Sequence, residues 1–157
     1  MFSTPLFTYP FCQALASVVC IDVHILMGQV TAPCGSGCIA HFDMIWDAGY
    51  VFDEIFWPDD MGYKGTPFFS NETYRSLLKP FHKKAVDWAH SKGIYAHLHS
   101  CGDIMPLVPE LMEIGIDALN PLEVKAGMDA AALKERYGDR LVLHGGINAV
   151  LWDDKEA

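Results

Sequence analysis

His97-Leu98-His99-Ser100-Cys101-Gly102-Asp103 closes a short apolar run that begins at Gly93, and it opens directly onto a helical pattern. In an extended strand successive side chains alternate between faces. Tyr95, His97, His99 and Cys101 therefore share one side, while Ala96, Leu98 and Ser100 take the other. In one stave of a β/α barrel the first set would point toward the axis, where bulky aliphatic residues are the usual filling. Two imidazoles and a thiol are a costly choice for packing alone, so this strand end is a candidate site. Taken singly, each residue has a plainer explanation. A buried His is usually hydrogen-bonded, and free Cys is among the most buried residue types. His-x-Cys also falls short of the three or four ligands that a zinc site needs. Position adds weight, because α/β folds place their chemistry where a strand ends and a helix begins.

Working outward, the same alternation repeats. Residues 41–48 read as a short helix stopped by Gly49, and residues 51–58 as a buried strand closing on Asp59 and Asp60. Ser70 is placed to cap a long helix over residues 71–91, with Glu72 in its first turn. Pro80 should kink or divide that helix, and Lys92-Gly93 should end it. The strand over 94–99 follows, then a helix capped by Asp103 and ended by Gly115. A strand over 116–122 leads to Glu123, and Asp129 caps a helix through Tyr137. The strand over 140–144 closes on Gly145-Gly146, and residues 153–156 look like the opening of another helix. Four strands alternating with helices predict an α/β fold with parallel pairing. Asp59, Asp60, His99, Cys101, Glu123 and His144 all fall at strand carboxyl ends, the rim where such folds work.

Composition bounds the rest. The 157 residues are 51% apolar and 12% aromatic, enough for a real core. A formal net charge of −9 with no basic tract argues against nucleic acid or an anionic membrane as partner. All eleven Lys and Arg residues lie at or after Lys64, so composition shifts partway along the chain. Residues 1–40 show no clean period, and Cys34-Gly35-Ser36-Gly37-Cys38 reads as a Gly-rich turn with two ordinary thiols. The apolar stretch over residues 11–27 has no basic lead and is interrupted by Gln13, Asp22 and His24, unlike a signal or a span. Five cysteines without paired regularity suit reduced thiols in a cytoplasm.

Over about residues 43–156 the chain resembles the uroporphyrinogen decarboxylase superfamily, which includes the zinc-dependent corrinoid methyltransferases. The resemblance is carried by ordered words. They are Pro58-Asp59-Asp60-Met61-Gly62, Phe68-Phe69-Ser70, Tyr74 with Pro80, His99-Ser100-Cys101-Gly102, Asn120-Pro121-Leu122-Glu123, Gly127-Met128-Asp129, Leu133-Lys134 with Tyr137-Gly138-Asp139, and His144-Gly145-Gly146-Ile147-Asn148. Residues 1–40 carry no such match, which divides the chain into an irregular segment and a β/α domain over 41–157.

The resemblance implies a partial (β/α)8 TIM-type barrel whose C-terminal part is missing, since a whole barrel takes roughly 250 residues. It also implies one of two chemistries. Decarboxylation of a tetrapyrrole in porphyrin biosynthesis would need basic residues from the N-terminal segment, which has no Arg. Methyl transfer would use Zn²⁺ held by His99 and Cys101, with a further Cys that would fall beyond Ala157. A small-molecule thiol entering the open position would lose its proton and take a methyl group from a corrinoid on a partner protein. Asp60 and Glu123 would then serve catalysis, while Asp59, His97, His144 and the bare backbone at Gly145 would contact substrate. For Asp59 a solvated loop position, and for His144 a satisfied core position, remain open. A non-catalytic barrel fragment that self-associates through exposed edges is the further alternative.

Overall fold

Packing, more than local propensity, decides where each element begins. The computed structural model describes residues 35–148 and Leu151, with side chains from residue 39 onward. Helix α1 spans Gly35–Asp47, and strand β1 spans Glu54–Pro58. A small hairpin follows, β2 (Gly62–Tyr63) and β3 (Thr66–Pro67). Next comes α2 (Asn71–Thr73), which runs through a π turn (Tyr74–Leu78) into α3 (Lys79–Ser91). Strand β4 (Tyr95–His99) leads through a 3-10 turn (Met105–Leu107) to α4 (Val108–Ile114). Strand β5 (Ala118–Leu122), a 3-10 turn (Val124–Ala126), α5 (Ala130–Tyr137) and β6 (Val142–Gly145) complete the described chain.

β1, β4, β5 and β6 form one parallel sheet in the order β1-β4-β5-β6. Its register sorts the residues into two faces. Ile55, Trp57, Ala96, Leu98 and Leu119 lie under the helices and are buried, Trp57, Ala96 and Leu98 fully. Helix α3 meets them with Ala85, Val86, Trp88 and Ala89, α4 with Val108, Leu111 and Ile114, and α5 with Leu133 and Tyr137. These spacings of three and four residues put one apolar stripe on each helix. The opposite face carries Glu54, Phe56, Tyr95, His97, His99, Asn120, Val142 and His144, and no helix covers it among the described residues. Tyr95 and Val142 are each 64% exposed there.

Several caps follow the sequence. The Ser70 hydroxyl accepts from the Thr73 N–H, and the Asp129 carboxylate accepts from the Ala132 N–H. Pro80 has no N–H to offer the Ser76 carbonyl, and the ladder there shifts by one residue. The Lys79 N–H reaches the Tyr74 carbonyl, making the π turn. The division expected at Pro80 thus takes the form of a bulge.

Other expectations are corrected. Residues 35–38 belong to α1 and not to a Gly-rich turn, so the helix begins at Gly35, not at residue 41, and crosses residue 40. Ile39, Phe42 and Trp46 form a stripe against the core, and that burial outweighs the poor helix propensity of two glycines. β1 starts at Glu54, leaving Val51 71% exposed. The Asp103 carboxylate accepts from the Met105 N–H and so starts a 3-10 turn instead of the helix itself. The helix expected at 153–156, the apolar stretch at 11–27, and Cys12, Cys20 and Cys34 lie outside the described residues. Among the described residues no helix is long and apolar enough to cross a membrane.

Candidate metal centre

The carboxyl ends of β1 and β4 are zipped together by backbone. The Asp59 N–H donates to the His99 carbonyl, Gly62 N–H to the Cys101 carbonyl, and Asp103 N–H to the Tyr63 carbonyl. The buried Ser100 hydroxyl accepts from the Met61 N–H at 3.0 Å. Such close approach needs glycine on both strands' loops. A Cβ on Gly102 would stand 2.1 Å from the Gly62 carbonyl carbon, and Gly102 also has φ of +82°. The words Asp59-Asp60-Met61-Gly62 and His99-Ser100-Cys101-Gly102 are therefore two halves of one structure.

That zipper brings Asp60, His99 and Cys101 together, with one ligand atom from each within 4.8 Å of the others. Cys101 Sγ lies 3.4 Å from His99 Nε2, and Asp60 Oδ1 lies 3.5 Å from the same nitrogen. A tetrahedral zinc with Zn–S near 2.3 Å and Zn–N or Zn–O near 2.0–2.2 Å separates its ligand atoms by about 3.3–3.6 Å. Thiol, imidazole and carboxylate are all ordinary zinc donors, so both chemistry and spacing fit that ion. The 3.4 Å spacing equally suits a thiol–imidazole hydrogen bond in the metal-free chain.

Supporting contacts hold this trio. The other His99 nitrogen, Nδ1, is 2.9 Å from Asn120 Oδ1, which leaves Nε2 as the free lone pair when Nδ1 carries the proton. The Cys101 N–H donates to Asp60 at 2.9 Å, and the Gly102 N–H donates to Glu123 Oε2 at 2.9 Å. Burial raises the Cys101 thiol pKa, and the negative charges of Asp60 and Glu123 raise it further. Metal-free, that sulfur is a protonated thiol at neutral pH; a cation between the three groups reverses the balance.

The remaining candidates are placed differently. Asp59 turns toward the helices, where its carboxylate is 2.9 Å from His82 Nε2 and His82 Nδ1 is 3.1 Å from the Tyr74 hydroxyl. His82 and Tyr74 are buried, and burial, with Glu110 and Asp59 nearby, raises the Tyr74 pKa. His97 sits one pleat below His99, with its ring edge-on to Phe56 and 5.9 Å from the His144 ring between centroids. Burial lowers its pKa, with Glu54 opposing. Gly145 is approached by strand β5, since a Cβ there would stand 2.7 Å from the Leu122 nitrogen. Neither His97 nor His144 is in the rim trio. Asn120 stands in one of the family words and His82 in none, and neither has a site role legible from spacing alone; the parallel pairing of β4 with β5 is what sets Asn120 beside His99.

No protein-family model matches the chain, and no curated protein does. Among solved structures the chain is similar to a methyltransferase from Methanosarcina mazei, with 27% identity and a TM-score of 0.51 over 69% of this chain. The likeness spans 30% of that structure's own length. What this chain brings to the likeness is a parallel sheet alternating with helices.

Proposed function

We propose that this chain carries the metal-binding half of a zinc-dependent methyltransferase that moves a methyl group from a corrinoid to a thiol. The observation carrying the proposal is the convergence of Asp60, His99 and Cys101 at the carboxyl ends of β1 and β4. The likeness to a methyltransferase supports the reaction class. Zinc bound there would supply Lewis acidity, which makes a thiol nucleophilic at neutral pH. His99 and Cys101 are the ligands proposed from the sequence, and Asp60 joins them on its geometry. Asn120 fixes the His99 ring, while Glu123 anchors the Gly102 backbone and with it the Cys101 loop. The methyl donor in this reading is a corrinoid on a partner protein, and the acceptor is a small-molecule thiol.

The same reading makes the sheet part of an eight-stranded barrel. Four parallel strands, with a mixed polar and apolar face opposite the helices and edges at β1 and β6 that no described strand pairs, are what half of such a barrel presents. Isolated, that face and those edges favour self-association. Size-exclusion chromatography that gives a single monomeric species at every concentration would count against it.

The central test is zinc retention by purified protein dialysed against a weak chelator. Cys101→Ser and Asp60→Asn should each weaken zinc binding by at least about tenfold, Cys101→Ser more strongly. Zinc retention indifferent to Cys101→Ser removes the metal centre. Zinc-loaded protein that never demethylates methylcobalamin in the presence of thiols leaves a metal centre without the proposed reaction.

A further inference from the structure

The open face of the sheet holds an anomaly below the rim. His97 is 8% exposed, and neither of its ring nitrogens has a hydrogen-bond partner among the described residues. A buried imidazole left so is costly, and a leucine would have packed there without that cost. The ring is nonetheless held in place, edge-on to Phe56 at 4.6 Å between centroids. It borders a concavity also lined by Glu54, Tyr95, Ala118, Val142 and His144. Glu54 Oε2 lies 3.3 Å from His97 Nδ1, too poorly aligned for a hydrogen bond. Two ligand atoms on one tetrahedral zinc-like ion stand about 3.3 Å apart, so this pair already has ligand spacing. His144 is exposed on β6 and lines the same concavity, its ring 5.9 Å from that of His97 between centroids, so the three groups would have to draw closer to share an ion.

We propose that Glu54, His97 and His144 form a second cation site, selective for a divalent transition metal, on the open face one pleat below the rim trio. Two imidazoles and one carboxylate favour zinc, cobalt or nickel over calcium or magnesium, which prefer all-oxygen shells. The site has no sulfur, so its spectrum differs from that of the rim. It shares no residue with the rim trio and stands whether or not that trio binds metal.

Cobalt(II) titration of the full metal-free chain tests this directly. The expected result is binding of two equivalents, one with a sulfur-to-metal charge-transfer band and one with only weak visible bands. Cys101→Ser should abolish the charge-transfer band and leave the other equivalent. His144→Ala and Glu54→Gln, both at exposed positions, should each weaken the sulfur-free equivalent at least tenfold while the charge-transfer band stays. A parent protein that never shows the band, yet binds the sulfur-free equivalent, speaks against the rim centre and not against this site. A single equivalent that Cys101→Ser eliminates overturns the second site. A sulfur-free equivalent that neither His144→Ala nor Glu54→Gln weakens overturns it too, as an adventitious ion only.

Discussion

Strand β4 divides its labour between two faces. Ala96 and Leu98 point under the helices and are fully buried, packed into a core with Trp57 and Val86. His97 and His99 point the other way, into a face lined by Glu54, Asn120 and His144. The first face contributes free energy of folding, of order 1.5–3 kcal/mol for each large apolar side chain withdrawn from water. The second spends some of it on buried polar groups, which is tolerable where those groups meet a ligand. A substitution should therefore damage stability or metal binding according to the face it strikes.

The largest effect expected is on the helix side. Leu98→Ala should cost about 2–5 kcal/mol in denaturant unfolding of the metal-free chain, yet change zinc affinity of the folded fraction by less than about threefold. A zinc affinity that falls in step with stability would mean the two faces are not separable. Gly102→Ala tests their junction. Its Cβ would collide with the Gly62 backbone, and its φ of +82° disfavours any side chain. We expect a loss of about 1–3 kcal/mol together with at least a tenfold loss of zinc affinity, because the Cys101 and Asp60 loops must part. Zinc affinity left intact would show that the backbone zipper is not what assembles the trio.

The sequence makes one face more legible than the other. Alternation and helix stripes locate the strands of the sheet, because the helix side repeats with regular periods and is enforced by burial. The rim words His99-x-Cys101 and Asp59-Asp60 are equally visible, but their partition is not. Adjacent residues at the end of β1 point to opposite faces, so Asp60 joins the rim trio while Asp59 is drawn into the chain of His82 and Tyr74. The same pleat that separates His97 and His99 from Leu98 thus separates Asp60 from Asp59. The hairpin of β2 and β3 escaped for a different reason: strands of two residues each have no period to detect. The start of α1 at Gly35 is set by packing of Ile39, Phe42 and Trp46, which no local propensity encodes.

The smallest effect belongs to the outer side of the helix layer and should leave the rim untouched. Glu110 on α4 is buried, and it accepts from Arg75 Nε and from Lys79 Nζ, each at 2.7 Å; Lys79 also reaches Glu113. These bonds tie α4 to the π turn and to the start of α3. Hydrogen bonds from Arg75 and Lys79 outweigh burial and pull the Glu110 carboxyl from 4.5 down to about 2. A carboxyl with a depressed pKa in the folded state binds its proton more readily when unfolded, so stability rises with pH across the interval between the two values. The contribution of Glu110 is thus complete above about pH 4.5 and is lost as pH falls toward about 2. Solvent around the exposed Arg75 screens the pair, which keeps the contribution small. Denaturant unfolding of metal-free protein at pH 6 and pH 3 should show Glu110→Gln costing stability at pH 6, with the difference from the parent shrinking at pH 3. A difference that stays constant across that range would mean the ion cluster contributes through shape alone, and the helix layer would then owe its pH response to other carboxylates.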